Sequence, residues 1–220
     1  MDIWKLLEIR KPIWLRIYDY IGQSKFVSCI EYYTSKLKWN KHIASTIYQT
    51  LSKEIKTYGD ILIDNTTEIA YVNCGNIYVN ENYLNNKSCG VKRFTMHHEG
   101  IHIKNNDSFM QPLIAVNMHL VAIAFIHYTM DINDIVYIFI VNLISIFTSI
   151  AWCNYGWHKN LETRADIDAS QQVQCYQCVQ EWSDTIYRDD IKDGYLGRKQ
   201  LNKVINYYKL NNTLCCYHKH

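Results

Sequence analysis

Phe94-Thr95-Met96-His97-His98-Glu99-Gly100-Ile101-His102-Ile103 is the stretch on which the reading of this chain turns. Within it, His98-Glu99-Gly100-Ile101-His102 forms an H-E-x-x-H. Four residues are just over one helical turn, so both imidazoles project from one helix face and can bind the same ion. Glu99 opens the intervening turn and reaches water at the metal rather than the metal itself, which is what a general base requires. His97 lacks this geometry, since the residue four positions on is Ile101. The segment predicts a helix over 91–105 that carries two zinc ligands, His98 and His102, and a catalytic Glu99.

A catalytic zinc ion usually takes three protein ligands and keeps one position for water. Leu161-Glu162-Thr163-Arg164-Ala165-Asp166 supplies the third, on a helix expected over 158–182. Glu162 and Asp166 are again four apart and share a face. Glu162 can ligate the ion, while Asp166 can accept a hydrogen bond from the free nitrogen of a zinc-bound imidazole and fix its tautomer. Two helices then build one site with a single Zn2+ as cofactor.

An H-E-x-x-H followed by E-x-x-A-D at this distance resembles the M48 family of gluzincin metallopeptidases, the group of the CAAX prenyl proteases and the HtpX heat-shock protease. The stretch Ile69-Ala70-Tyr71-Val72-Asn73-Cys74-Gly75-Asn76-Ile77-Tyr78-Val79 looks like the strand pair that precedes the zinc helix in that family. The resemblance covers residues 58–190 and implies a zincin-like catalytic core. It also implies an edge strand that receives an extended peptide substrate by β-augmentation, and an apolar helical pair inserted between the zinc ligands. The implied reaction is hydrolysis of a peptide bond by water activated at zinc, with Glu99 carrying the proton. The chain departs from the family in two places. Lys159 stands where an arginine is common, and the usual histidine-proline-arginine pattern has no counterpart around Tyr195 and Arg198. Tyr187, Tyr195 and Arg198 remain as candidates for the side chain that stabilises the oxyanion.

Outward from the motif, residues 2–22 and 28–56 carry apolar positions at helical spacing, among them Ile30, Tyr33, Leu37, Ile43, Ile47, Leu51 and Ile55. From Tyr58 the period shortens. Ile61-Leu62-Ile63, residues 69–73 and residues 76–83 read as strands separated by turn signals, a small antiparallel meander. After the zinc helix come two apolar stretches, 113–128 and 135–152, and a last helix is expected over 197–210. The whole is a mostly helical α+β fold in one domain, ordered as N-terminal helices (1–56), sheet and zinc helix (57–112), apolar hairpin (113–152), then third-ligand and C-terminal helices (153–220).

The formal net charge of this 220-residue chain is +2, so no overall field argues for nucleic acid as a partner. The N-terminus is interrupted by Lys5, Arg10, Lys11 and Arg16 and lacks the unbroken core of a signal peptide. Those four charges also permit N-terminal helices lying on a membrane surface. The eight cysteines are expected to be mostly reduced thiols. Cys175 and Cys178 form a C-x-x-C, and Cys215-Cys216 with His218 and His220 end the chain; unpaired thiols are the plainer reading, a structural zinc the sharper one. For the apolar pair, a buried hairpin stands against a membrane hairpin. Two crossings return the chain to one side, as ligands before and after the insertion require. The intervening loop holds Asp131 and Asp134 and no basic residue, whereas Lys104 and Lys159 flank the pair, which places the catalytic part in the cytosol. Asn117, His119 and His127 oppose that reading if they face lipid. A membrane-associated zinc endopeptidase is the first expectation; a non-catalytic membrane or assembly protein that keeps the fold as a binding module is the alternative. A redox or metal-storage protein built on the cysteines ranks last.

Overall fold

A serine begins the helix around which everything else packs. In the computed structural model, which describes residues 2–36, 43–44, 46–55, 59–130, 135–152, 157–188 and 196–215, Ser88 caps α6 (Cys89–Lys104), its hydroxyl accepting from the Val91 amide. The Glu181 carboxylate accepts from the Ser88 hydroxyl at 2.5 Å and from the Gly90 amide at 3.1 Å, a negative charge at the positive end of the helix. A Cβ on Gly90 would lie 2.1 Å from Glu181 Oε2 and 3.0 Å from the Cys178 Cα, so a larger residue would displace this cap. Glu181 belongs to α10 (Tyr176–Arg188), so the cap also sets the approach of the two helices.

Around α6 the chain runs in order through α1 (Ile3–Leu6), α2 (Ile13–Gly22), α3 (Lys25–Ser35), α4 (Thr46–Ile55), β1 (Ile61–Ile63), β2 (Ala70–Asn73), β3 (Asn76–Val79) and α5 (Glu81–Asn85). After α6 come α7 (Asp107–Met130), α8 (Ile135–Trp152), α9 (His158–Val173), α10 and α11 (Arg198–Leu210). The fold is mostly helical with one small sheet, as the sequence suggests. α9, α10, α4 and the sheet enclose α6, and Phe94 stacks on Trp182 of α10 with ring centroids 5.0 Å apart. This core continues through Met96, Ile77, Val79, Ala165 and Leu201. α7 and α8 pack on one another and stand apart from it.

The sheet corrects the expected antiparallel meander. Its order is β1-β3-β2, with β1 parallel and β2 antiparallel to β3. Cys74 and Gly75 both take positive φ and close the β2–β3 hairpin, the two-residue turn whose twist suits antiparallel strands. β3 is buried along its whole length, which selects it for the centre, and β2 is left at an edge. The far edge of β1 receives residue 43 in an isolated bridge to Leu62.

Three boundaries also differ from expectation. The helix expected over 158–182 is two, because Gln174 is left-handed with φ 45° and ends α9 before α10 starts. The third strand stops at Val79, where the Asn80 side chain caps α5. The first apolar stretch begins at Asp107 rather than residue 113. Pro112 lies inside α7, where its missing N–H removes one bond of the ladder without ending the helix. Leu37, Tyr58, Asp131, Asp134, Tyr195, Cys216, His218 and His220 lie outside the described residues.

Candidate metal centre

The carboxylates around His98 and His102 settle which ring nitrogens face each other. Asp166 Oδ1 accepts from His98 Nδ1 at 2.9 Å, and Asp107 Oδ2 accepts from His102 Nδ1 at 2.6 Å. With each Nδ1 held, both Nε2 atoms turn inward to 3.2 Å from one another. Glu162 meets them there, Oε2 3.0 Å from His98 Nε2 and Oε1 3.4 Å from His102 Nε2. A tetrahedral ion with bonds of about 2.0–2.1 Å sets its ligand atoms about 3.3 Å apart. The three spacings bracket that value, so the donor set fits a zinc ion in both chemistry and size.

His98, His102 and Glu162 thus come together as the sequence reading expects, from α6 and α9, and Asp166 takes the supporting position assigned to it. Asp166 Oδ2 also accepts from the Leu196 amide at 2.7 Å, which fixes the carboxylate from behind. His97 points elsewhere, to Gln172 at 3.2 Å and Glu54 at 3.2 Å.

The electrostatics follow from close packing of opposite charges out of water. Burial opposes charge on His98, but its hydrogen bonds to the Asp166 and Glu162 carboxylates outweigh it and hold the imidazole well above the usual histidine range. His102 is likewise penalised by burial, yet the Glu162 charge and the Asp107 bond push it up to about 9. Glu162 is held well below the usual carboxylate range, the two histidines overcoming its burial. Glu99 goes the other way: burial raises it, offset only in part by the histidine charges. One carboxyl is held as an anion and its neighbour is eased toward carrying a proton.

Glu99, His102 and Glu162 open onto a cleft of about 310 Å3. One wall is the edge strand β2 with the residues leading into it, Thr67 to Val72; the other is the first turns of α7 and His158. The His158 side chain is 57 % exposed, with Nδ1 3.6 Å from Glu162 Oε1. Tyr187 and Arg198 are not in the cleft. Tyr187 Oη donates to the Leu196 carbonyl at 3.1 Å, and the Arg198 guanidinium lies over the Tyr187 ring.

Sequence reasoning missed Asp107, Arg164 and Asp19. Asn105 and Asn106 end α6, Asn106 with φ 52°, and this turn swings Asp107 back against His102. Arg164 is fully buried and pairs with Asp107 and, at 2.5 Å, with Asp19; Lys11 pairs with Asp19. A buried arginine needs anionic partners, so Arg164, two residues on from Glu162, carried a signal that something acidic had to meet it. Its partners are distant in sequence and were not legible.

A second cluster lies at the α9–α10 junction, where Cys175, Cys178 and Cys215 place their sulfurs within 4.8 Å of one another. Among the described residues one helix, α7, is long and apolar enough to cross a membrane, with a window over Asp107–Thr129; α8 is apolar but shorter. Comparison with family models, curated proteins and solved structures finds no match.

Proposed function

We propose that this chain is a zinc-dependent endopeptidase anchored in a membrane by α7 and α8. The observation that carries the first half is the convergence of His98 Nε2, His102 Nε2 and the Glu162 carboxylate at tetrahedral spacing, beside a free-standing edge strand and a carboxyl eased toward protonation. The resemblance to the CAAX prenyl protease group supports the same reading. A bound zinc ion supplies Lewis-acid polarisation of the peptide carbonyl and lowers the pKa of water at its open position.

The chain's own residues do the rest. Asp166 and Asp107 hold the two imidazoles in one tautomer and orientation. Among the described residues β2 pairs with β3 alone and its other edge borders the cleft, so an extended peptide adds there as a further strand and brings its carbonyl to the site. The Glu99 carboxylate takes a proton from the attacking water as its oxygen bonds to the carbonyl carbon. Glu99 then gives that proton to the amide nitrogen as the C–N bond breaks. His158 stands on the cleft wall beside Glu162, where its ring can donate to the developing oxyanion, a task for which Tyr187 and Arg198 are badly placed.

The membrane half rests on what α7 and α8 leave outside. Val116, Leu120, Val121, Phe125, Phe139, Ile144 and Phe147 are exposed. At 1.5 Å per residue, the two helices span about 36 and 27 Å, against about 30 Å of bilayer hydrocarbon. Two of the three polar side chains that oppose lipid, Asn117 and His119, find partners within the hairpin. Asn117 Nδ2 donates to the Leu113 carbonyl at 2.7 Å and Asn142 Nδ2 to Ile138 at 2.7 Å, each one turn back on its own helix. His119 meets Ser145 across the helix seam at 3.0 Å. At the foot of the hairpin, Trp14, Trp152 and Trp157 cluster, the residue type favoured at a membrane interface. α2 lies beside them, with Ile13, Ile17, Tyr20 and Ile21 exposed on one face and Leu15, Tyr18 and Gly22 buried on the other.

The test is Glu99→Gln on protein purified in detergent, assayed with an unfolded protein substrate. Hydrolysis should fall by about 10²- to 10⁴-fold while zinc content stays at the wild-type level. Undiminished hydrolysis in that variant overturns the mechanism. Absence of hydrolysis in wild type, with a cellular role that Glu99→Gln also fulfils, assigns the fold to binding instead.

A further inference from the structure

We propose that Cys175, Cys178 and Cys215 hold a second, structural zinc ion that ties the C-terminal segment to the helix carrying His98 and His102. The three thiols come from separate places. Cys175 and Cys178 flank the first turn of α10, just past the left-handed Gln174, while Cys215 arrives after α11. The Tyr176 amide donates to the Thr213 carbonyl at 3.2 Å, a backbone clip that brings the last segment alongside.

The Cys178 and Cys215 sulfurs are 3.6 Å apart. A tetrahedral zinc ion with Zn–S bonds of about 2.3 Å sets its sulfurs about 3.8 Å apart, whereas a disulfide needs about 2.05 Å. Hydrogen-bond donors surround two of the three sulfurs. The Cys175 sulfur accepts from the backbone amides of Cys178 and Cys215, and Arg93 Nη1 lies 3.9 Å from the Cys178 sulfur. Thiols are weak acceptors and gain little from such donors; thiolates bound to a metal are stabilised by them. Cys175 and Cys178 are fully buried and Cys215 is half-buried, so the three sulfurs converge largely out of water. As the ion binds, the thiols release their protons to solvent and no electrons change hands.

Arg93 gives the site its consequence. It stands on α6 one turn before His97 and also donates to the Val173 carbonyl at 3.0 Å and to Glu54 at 2.9 Å. The cluster therefore braces the N-terminal half of the same helix whose C-terminal half bears the histidines.

The decisive experiment counts zinc per chain on full-length protein purified under reducing conditions, in wild type, His98→Ala/Glu162→Ala and Cys175→Ser/Cys178→Ser. It then replaces zinc with cobalt(II) and records the sulfur-to-cobalt absorption. The expected counts are about two, one and one, with the absorption kept in His98→Ala/Glu162→Ala and lost in Cys175→Ser/Cys178→Ser. Should the double serine variant fail to fold, the cobalt spectrum of His98→Ala/Glu162→Ala, which retains every cysteine, still decides. Folded His98→Ala/Glu162→Ala protein without that absorption overturns the proposal, as does an intact mass showing a cysteine disulfide in the reduced preparation. The two readings fail separately: zinc unchanged by His98→Ala/Glu162→Ala sinks the peptidase centre and leaves the thiolate site standing.

Discussion

Twelve of the sixteen residues of α6 are buried, among them Arg93, His97, His98, Glu99 and His102, whereas α7 keeps 6 % of its apolar window inside the protein. The two helices are separated only by Asn105 and Asn106. One is polar and enclosed; the other is apolar and bare. Burial here follows partnership rather than hydropathy. Arg93, His98 and His102 on α6 each meet an opposite charge or a hydrogen bond that offsets desolvation, whereas among the described residues little protein covers the apolar surface of α7. An exposed apolar surface of that kind marks an interaction site, and the proposed bilayer would cover it.

The comparison can be broken at either helix. The largest effect is expected from Glu162→Ala, which removes one of three converging donors and leaves two buried histidines facing each other. Loss of one zinc equivalent and of all hydrolysis should follow, read by elemental analysis and peptide cleavage; zinc retained in that variant would mean that the polar interior of α6 serves packing alone. Leu120→Arg addresses α7. The side chain is 58 % exposed; in lipid the change should cost about 2.5–3.5 kcal/mol of insertion, and in water less than about 0.5 kcal/mol. Extraction by carbonate distinguishes them, and unchanged membrane retention would argue that α7 never meets lipid.

A pH effect of similar size is expected at the centre itself. His102 in chelator-stripped protein keeps its proton up to about pH 9, and zinc needs the neutral ring. Affinity should therefore rise with pH through about 9. Between pH 9 and pH 7 this one group should weaken binding about 100-fold, with proton release on zinc uptake measurable by calorimetry in buffers of differing ionisation enthalpy. Asp166→Asn keeps the shape and removes the charge behind His98, so zinc affinity should drop about 10- to 100-fold in a chelator competition. The smallest change is Ser145→Ala. It deletes the bond to His119 across the hairpin seam, worth about 0.6 kcal/mol in a membrane protein, and denaturation in mixed micelles should detect it without any change in zinc.

Much of the centre was legible because helical periodicity is local. His98, His102, Glu162 and Asp166 announce themselves at four-residue spacing, and that spacing alone fixes which side chains share a face. The same reasoning dismissed His97, which the fold turns toward Glu54 and Gln172. Asp107 could not be found this way, since its bond to His102 depends on the left-handed Asn106. Nor could the role of Arg164 be assigned, because Asp19 lies 145 residues away in sequence. The sheet failed for a related reason. Strand patterns give the existence of β1, β2 and β3, but the burial of β3 decides which strand lies in the middle.

By itself, then, the amino-acid sequence determined most of the helices, the paired H-E-x-x-H and E-x-x-A-D motifs and the apolar pair, all of which depend on neighbours within a turn or two. Only the tertiary structure decided the carboxylates behind each histidine, the edge position of β2 beside the cleft, and the meeting of Cys215 with Cys175 and Cys178. Those are contacts between residues far apart in the chain. They exist because burying the polar faces of α6 and α9 forces each charged group to find its partner wherever the fold brings one.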